Sequence, residues 1–432
     1  MVKYSETIGE KVGVKALEDS NDLAFLTHYL QNLGNSDESV FEGEAIRVLS
    51  ENLELKNHFF NGSEICAEEF RNLSLDFDFD VPFPPLDDPE FKFIDLFAGI
   101  GGFRLALQSL GGKCVFSSEI DKYCKRVYEA NFGEIPFGDI KNFTADKISD
   151  KELDEMIPDH EILSGGFPCQ AFSIAGKRGG FEDTRGTLFF DVARILKVKQ
   201  PKAFILENVK GLVNHKSGKT LSTILNTLRN DLDYYVPDPA VLNAKEFGVP
   251  QNRERILIVG FRKDTGVDEF NYPDSNIKKS QFITGKTFGE IKEKEEVSVR
   301  YYLSDTYLNT LREHRERHAN KGNGFGYEMI KDGESANAIV VGGMGRERNL
   351  IWDHRISSYK PVTKIKGKVN REGVRRMTPR EWARLQGFPD KFRIDVVSDT
   401  QNYKQFGNSV AIPVIQAVGK EVINKLLVNH VQ

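Results

Sequence analysis

A thiol behind a proline, in a glycine-bearing turn, is oddly placed for one that only fills space. Residues 164–173 read SGGFPCQAFS, and Cys169 follows an apolar run, HEILSGGFP, with the pattern of a buried strand ending in a loop. A cysteine at a strand end is placed to react as a thiolate, although the local sequence also fits a cysteine that merely lies near solvent. A second group points to the same edge. Glu207, in ENV (207–209), ends the strongly apolar strand KAFIL, so its carboxylate would face the ligand side that Cys169 faces. The run QNRER (251–255) puts Gln251, Arg253 and Arg255 at alternating positions entering a strand, on one face. Three such side chains facing a cleft suit contacts to an anion or a base.

A glycine-rich strand-to-helix turn, FAGIGGFR (97–104), carries Gly99, Gly101 and Gly102. Glycine there lets a ligand approach the backbone, and the helix start offers free N–H groups. The full dinucleotide fingerprint is absent because position 104 is Arg, so the turn alone indicates only a nucleotide-like cofactor. Glu119, ending the next strand, is a candidate for ribose hydroxyls, and Asp139 in FGDI for an adenine amino group. GLVNHKSGKT (211–220) fails as a phosphate loop, since its first glycine would fall at Val213. Within VVGGMGRERNL, Arg346 and Arg348 could bond guanine edges bidentately, or equally contact phosphate or close a structural turn.

These groups need a scaffold, and the pattern from residue 91 onward supplies one. FKFIDLFAGIGG, KCVFSSEI, EILSGGFP, KAFILENVKG and RERILIVGFRK read as buried strands, with FRLALQSLGG and DKYCKRVYEANFG as helices between them. Such alternation predicts an α/β fold, a parallel, doubly wound Rossmann-like sheet with its ligand at the C-terminal strand ends. Residues 1–80 show loose helical periodicity and are expected to form a separable helical acidic extension. The acidic, proline-rich stretch 81–90 reads as a linker. A catalytic core is expected over 91–264, a smaller irregular domain over 265–372, and a C-terminal segment, 373–432, returning to the core.

At 432 residues the chain is long enough for two or three folding units. No apolar run reaches the roughly 18–20 residues of a membrane span, and the N-terminus lacks a signal-peptide core, so a cytoplasmic protein with no membrane association is expected. The four cysteines, Cys66, Cys114, Cys124 and Cys169, make neither a disulfide framework nor a metal-ligand pattern. The net charge of −5 conceals an asymmetry: residues 1–90 hold 20 acids and 6 bases, leaving the remainder at +9. Within 341–380 there are 11 Lys/Arg against 3 Asp/Glu, a balance compatible with a polyanionic partner.

Taken together, DLFAGIGGFR, GFPCQAFSIAGKRGGFEDTRGTLFFD, LENV, FGVPQNRERI, TPREWARLQGFP and QFGNSVAIPV resemble, in order, the blocks of the C5-cytosine DNA methyltransferases. The chain is similar to the bacterial restriction–modification type, HhaI-like. RHANKGNGFGYEM and SDTQNYKQFGNSV look like the EcoRII and Dcm branch, which also carries an N-terminal extension. The resemblance implies an S-adenosylmethionine-dependent methyltransferase core with a target-recognition domain, yielding S-adenosylhomocysteine without a metal. Cys169 would be the nucleophile, Glu207 would hold or protonate cytosine N3 and bind the exocyclic amine, Arg255 would contact the O2 edge, and Arg253 would help to order the site. Phe97, Gly99, Gly101, Gly102, Glu119, Ile120, Asp139, Pro168, Asn408 and Val410 would bind the cofactor. Ile120 departs from the tryptophan often found there, implying altered cofactor affinity. Gln170, Ser173, Lys177, Arg178 and Arg185, in or beside a closing loop (173–186), would meet DNA with Gln251, Arg346 and Arg348.

The partner so implied is double-stranded DNA, bound by a monomer that flips its target base, with a cognate restriction endonuclease acting separately. Three other readings compete. A tRNA cytosine-5 methyltransferase shares the fold but fits the large irregular region poorly. A DNA-binding regulator working through residues 1–80 is opposed by the net charge of −14 over residues 1–90. An NAD-linked oxidoreductase leaves Cys169, Glu207 and QNRER unexplained together.

Overall fold

A computed structural model describes residues 2–4, 21–32, 38–51, 77–168, 187–274, 282–342, 345–362 and 365–428. The chain divides into two compact units. The first holds Met1–Leu242, Arg255–Pro273 and Ile415–Gln432; the second holds Asn243–Glu254 and Asp274–Val414. Among the described residues no helix is long and apolar enough to cross a membrane.

The first unit is built on a seven-stranded sheet. After a short parallel pair, β1 (Val2–Tyr4) with β2 (Phe77–Phe79), come β3 (Phe91–Leu96), β4 (Gly112–Ser118), β5 (Ile162–Gly166), β6 (Ala203–Val209), β7 (Tyr234–Tyr235) and β8 (Ala240–Asn243). β9 (Gln251–Asn252) belongs to the second unit, and β10 (Glu254–Arg262) completes the sheet. The order is β4-β3-β5-β6-β10-β7, with β8 also on β10. β4, β3, β5 and β6 are mutually parallel, as the alternating pattern predicts. β10 is the exception and runs antiparallel to β6 and β7. Periodicity identifies RERILIVGFRK as a strand but carries no direction, and the connection through β7 and β8 reverses it.

Helices are punctuated by their sequence. α1 (Asp22–Asn32) and α2 (Glu38–Glu51) precede the sheet. α3 (Gly102–Gln108) leaves the glycine turn. α4 (Lys122–Phe132) is capped by Asp121, which accepts from the N–H groups of Tyr123 and Cys124, and it stops at Gly133 with φ 71°. α5 (Asp150–Met156) begins with a reciprocal Ser149–Glu152 capping box. α6 (Leu188–Lys199) and α7 (Lys219–Asn226) follow β5 and β6.

The expected separability of residues 1–80 is corrected. Leu23, Leu26, Tyr29 and Leu30 of α1 and Phe41 and Leu49 of α2 are buried in one cluster with Phe116, Phe137 and Leu163 of the sheet unit. The linker is bound down as well: Phe83 N–H donates to Asn131 O at 3.0 Å and Glu90 N–H to Gly111 O at 2.8 Å.

The second unit carries a three-stranded sheet, β11 (Met329–Ile330), β13 (Leu350–Trp352) and β14 (Val374–Arg376), and a parallel pair of β9 with β12 (Ala336–Asn337). Its helices are α8 (Asp305–Ala319), α9 (Pro379–Leu385) and α10 (Asp399–Asn408). α11 (Ile412–Val428) begins here and continues into the first unit. The boundaries at 265, 372 and 373 therefore move. Residues 374–414 stay with the second unit because β14 pairs with β13 and because buried Arg375 bonds Glu381 at 2.8 and 2.7 Å and Asp353 at 2.9 Å.

Candidate active site

The parallel strands of the first unit end along one edge, and three of the sequence motifs lie there. β3 runs into Phe97, at φ 56°, then Gly99 at 57° and Gly101 at 84°. Phe97 tolerates this left-handed backbone at a cost of about 1–3 kcal/mol, a strain that marks sites where the chain must turn sharply. At Gly101 a side chain is impossible, since a Cβ would stand 2.3 Å from the Phe132 ring. At Gly99 a Cβ would meet nothing within 4 Å, so the turn leaves open space beside the backbone.

Glu119, just beyond β4, locks that turn. Its Oε2 accepts from Gly99 N–H at 2.8 Å and its Oε1 from Asp121 N–H at 2.7 Å. Burial pushes its carboxyl above the ordinary range, and the bonds from Asp121 and Gly99 oppose that shift. Ile120 is 73% exposed, an apolar surface held at the same edge. Asp139 is half-buried, and its Oδ1 accepts from Lys141 N–H at 3.0 Å. Under the turn, Asp95 of β3 is fully buried, which raises its carboxyl to about 8 although Arg104 acts against it.

The second group lies at the ends of β5 and β6. Glu207 pairs in register with Gly166, three residues before Cys169. Its Oε1 is 3.0 Å from Nε of Arg255, on the antiparallel strand β10. Oε2 lies toward Gly166, where a Cβ would approach it to 3.5 Å. Burial lowers the Arg255 guanidinium while Glu207 opposes that fall. Asn208 Nδ2 donates to Phe167 O at 2.8 Å, fixing the exit of β5 immediately before Pro168, which is exposed. Cys169, Gln170, Ser173, Lys177, Arg178 and Arg185 lie outside the described residues.

QNRER does not present one face. Gln251 is fully buried: its Nε2 donates to Leu385 O at 2.8 Å and its Oε1 accepts from Ile339 N–H at 3.0 Å. Arg253 is buried too, and donates to Ile339 O at 3.0 Å, Gly407 O at 3.1 Å and Ser409 O at 2.7 Å. Both tie the second unit together, whereas Arg255 belongs to the first. The alternation fails because β9 ends at Asn252 and pairs with β12, while β10 starts afresh at Glu254 on β6. Gln251, expected to contact DNA, is a structural residue.

Asn408, exposed, and Val410, buried, stand at the end of α10 in the second unit. There too, the Arg346 guanidinium sits 5.4 Å from the Tyr403 ring centroid and lines a cleft of about 1040 Å³. Arg348 is exposed, 3.8 Å from Glu328. The cleft is also lined by Arg300, Tyr301, Arg376 and Arg380, which sequence reasoning did not single out. The basic excess of 341–380 was the only signal for Arg376 and Arg380, and it cannot separate a cleft from a solvated face; Arg300 and Tyr301 lie outside that stretch and had none.

An edge of this kind, with open space beside a locked glycine turn and an ion-paired glutamate next to the exit of β5, is that of an α/β protein whose ligands lie at the strand ends. The comparisons narrow the class. The C-5 cytosine-specific DNA methylase family matches residues 91–424, and the chain belongs to that family. It is 63% identical over 349 residues to the Type II methyltransferase M.HpaII of Haemophilus parainfluenzae, covering 80% of this chain and 93% of that one. With the Type II methyltransferase M.HhaI of Haemophilus parahaemolyticus it shares 39% over 349 residues, covering 78% and 95%. Among solved structures, Dnmt2 methyltransferase of S. pombe superposes with a TM-score of 0.55 at 19% identity, covering 79% of this chain and 100% of its own, a likeness of fold.

Proposed function

We propose that this DNA cytosine-5 methyltransferase, the modification half of a restriction–modification system, uses S-adenosylmethionine and the residues at the sheet edge to methylate a flipped cytosine. The donor set fits that cofactor. The open face at Gly99 admits a ligand against the backbone, Glu119 retains lone pairs for ribose hydroxyls, Asp139 can accept from an amino group, and exposed Ile120 can cover an aromatic ring. Bound there, the cofactor supplies an electrophilic methyl group on a sulfonium.

The chain's residues make cytosine able to accept it. Cytosine C5 is a poor nucleophile, so the Cys169 thiolate adds to C6 and gives C5 enamine character. Glu207 holds or protonates N3, so that the negative charge the added thiolate brings to the ring is neutralised there, its Oε1 held by Arg255 and its Oε2 on the side of β5. Arg255 meets the O2 edge as well. After transfer, loss of the C5 proton expels the thiolate and restores the ring. Extruding the base costs a few kcal/mol of stacking and pairing.

The observation that carries this reading is the Glu207–Arg255 pair, set in register with the strand that leads to Cys169. Incubating the purified protein with unmethylated genomic DNA and S-adenosylmethionine, then sequencing after bisulfite treatment, tests it. Protected cytosines in one recurring short context are expected. Uniform conversion would remove the DNA reading.

A further inference from the structure

Helix α1 lies outside the family match, yet its polar side chains converge on the sheet edge that carries Glu119 and Asp139. β4 is the outermost strand, so one side of its backbone needs partners. Phe137 satisfies part of that side, donating to Ser117 O at 2.9 Å and accepting from Glu119 N–H at 2.8 Å. α1 satisfies more of it. His28 Nε2 accepts from Ser117 N–H at 3.1 Å, and Asn32 Nδ2 donates to Val115 O at 3.4 Å. The other ring nitrogen of His28 donates to Ala24 O at 2.8 Å, which sets the tautomer.

The same helix, with Asn21 immediately before it, grips the chain between α4 and Asp139. Gln31 Nε2 donates to Phe132 O at 2.5 Å, Thr27 Oγ1 accepts from Ile135 N–H at 3.0 Å, and Asn21 Oδ1 accepts from Gly138 N–H at 2.9 Å. Gln31 Oε1 also accepts from Arg104, which lies in the first turn of α3 beyond the glycine turn, at 2.7 Å. A helix held only by its apolar stripe is free to slide. These bonds go to specific backbone atoms and fix where segment 132–139 stands.

We propose that α1 is a positioning element of the cofactor site: Asn21, Thr27, His28 and Gln31 set the β4 edge and segment 132–139 so that Glu119 and Asp139 meet the ribose and the adenine. The proposal rests on reading Glu119 and Asp139 as cofactor contacts.

The test is calorimetric binding of S-adenosylhomocysteine to the full chain, with amide exchange at Gly138 followed in parallel. In Asn21→Ala, binding is expected to weaken about three- to tenfold, the size of one neutral hydrogen bond. The Gly138 amide should exchange faster, while thermal midpoint and DNA affinity stay near the parent values. Asn21→Asp keeps the acceptor and should restore both readouts. A merely structural helix would lower the midpoint of Gln31→Leu yet leave the affinity of folded Asn21→Ala at the parent value, and that result overturns the proposal. Parent-like binding in Glu119→Ala and Asp139→Ala would instead overturn the cofactor reading and the proposal with it. Loss of binding in those two, with none in Asn21→Ala, removes the positioning role alone.

Discussion

Glu207 and Arg255 meet diagonally across antiparallel strands, Glu207 opposite Leu257 and Arg255 opposite Val209, with their side chains 3.0 Å apart and both largely buried. Neither charge is well solvated, so each depends on the other. The pair leaves one carboxylate oxygen on the side of Gly166, at the start of the path to Cys169.

Replacing Glu207 with Gln keeps the shape and removes the charge. Turnover is expected to fall roughly a hundredfold or more, the usual effect of losing a group that stabilises transition-state charge. Binding of S-adenosylhomocysteine should be unchanged. Single-turnover methyl transfer measured beside calorimetry separates the two.

Cys169→Ser should nearly abolish methyl transfer while leaving duplex binding intact, because a serine hydroxyl is scarcely ionised at neutral pH and cannot add to C6. Filter-binding and tritium-transfer assays on one preparation decide it. Unchanged turnover would sink the covalent mechanism.

Arg104 and Glu134 form a fully buried pair at 2.9 Å. Burial alone would push the Glu134 carboxyl up, but Arg104 and the hydrogen bond from the Ser117 hydroxyl hold it below the ordinary range. Arg104→Met strands that carboxylate, so a loss of about 3–5 kcal/mol in urea unfolding is expected. Adding Glu134→Gln to it should recover part of the loss.

Deletion of residues 1–80 is expected to leave an aggregating protein. It uncovers Phe116 and Phe137, and it removes four buried side chains of α1, each worth about 1.5–3 kcal/mol. Light scattering of the truncated chain checks this. A monodisperse, cooperatively folding product would contradict it.

Asp95, raised to about 8 by burial, gives stability a definite pH dependence. Between the ordinary carboxylate value and about 8, the folded protein holds a proton that the unfolded chain has lost. Its contribution is therefore complete at acid pH and is lost as pH rises through about 8, with a slope of up to about 1.4 kcal/mol per unit. Asp95→Asn should remove that slope. Unfolding midpoints of parent and variant from pH 5 to 9 should diverge accordingly.

Much of this was legible in the sequence because it is local. The FAGIGGFR turn and Glu119 each follow a strand visible by its apolar run, Glu207 lies near the end of another, and the ends of strands are where an α/β sheet keeps its ligands. QNRER misled because alternation marks one face only while a strand continues, and here the chain changes partner strand at Arg253. The extension misled for a different reason. LAFLTHYLQNLG shows its apolar stripe, but nothing in its spacing says that His28, Gln31 and Asn32 bond to strand and loop atoms about a hundred residues away. Buried polar contacts of that range have no periodicity to read.

The placement of α1 has a consequence for how the protein is made. Synthesis runs from the N-terminus, and domains begin folding as they emerge. The helix that seals the outer strand of the sheet is translated before that strand exists. When Gly112–Ser118 leaves the ribosome, the groups that close its open edge are already waiting, and the nascent sheet has a partner of its own before it can find one on a neighbouring chain.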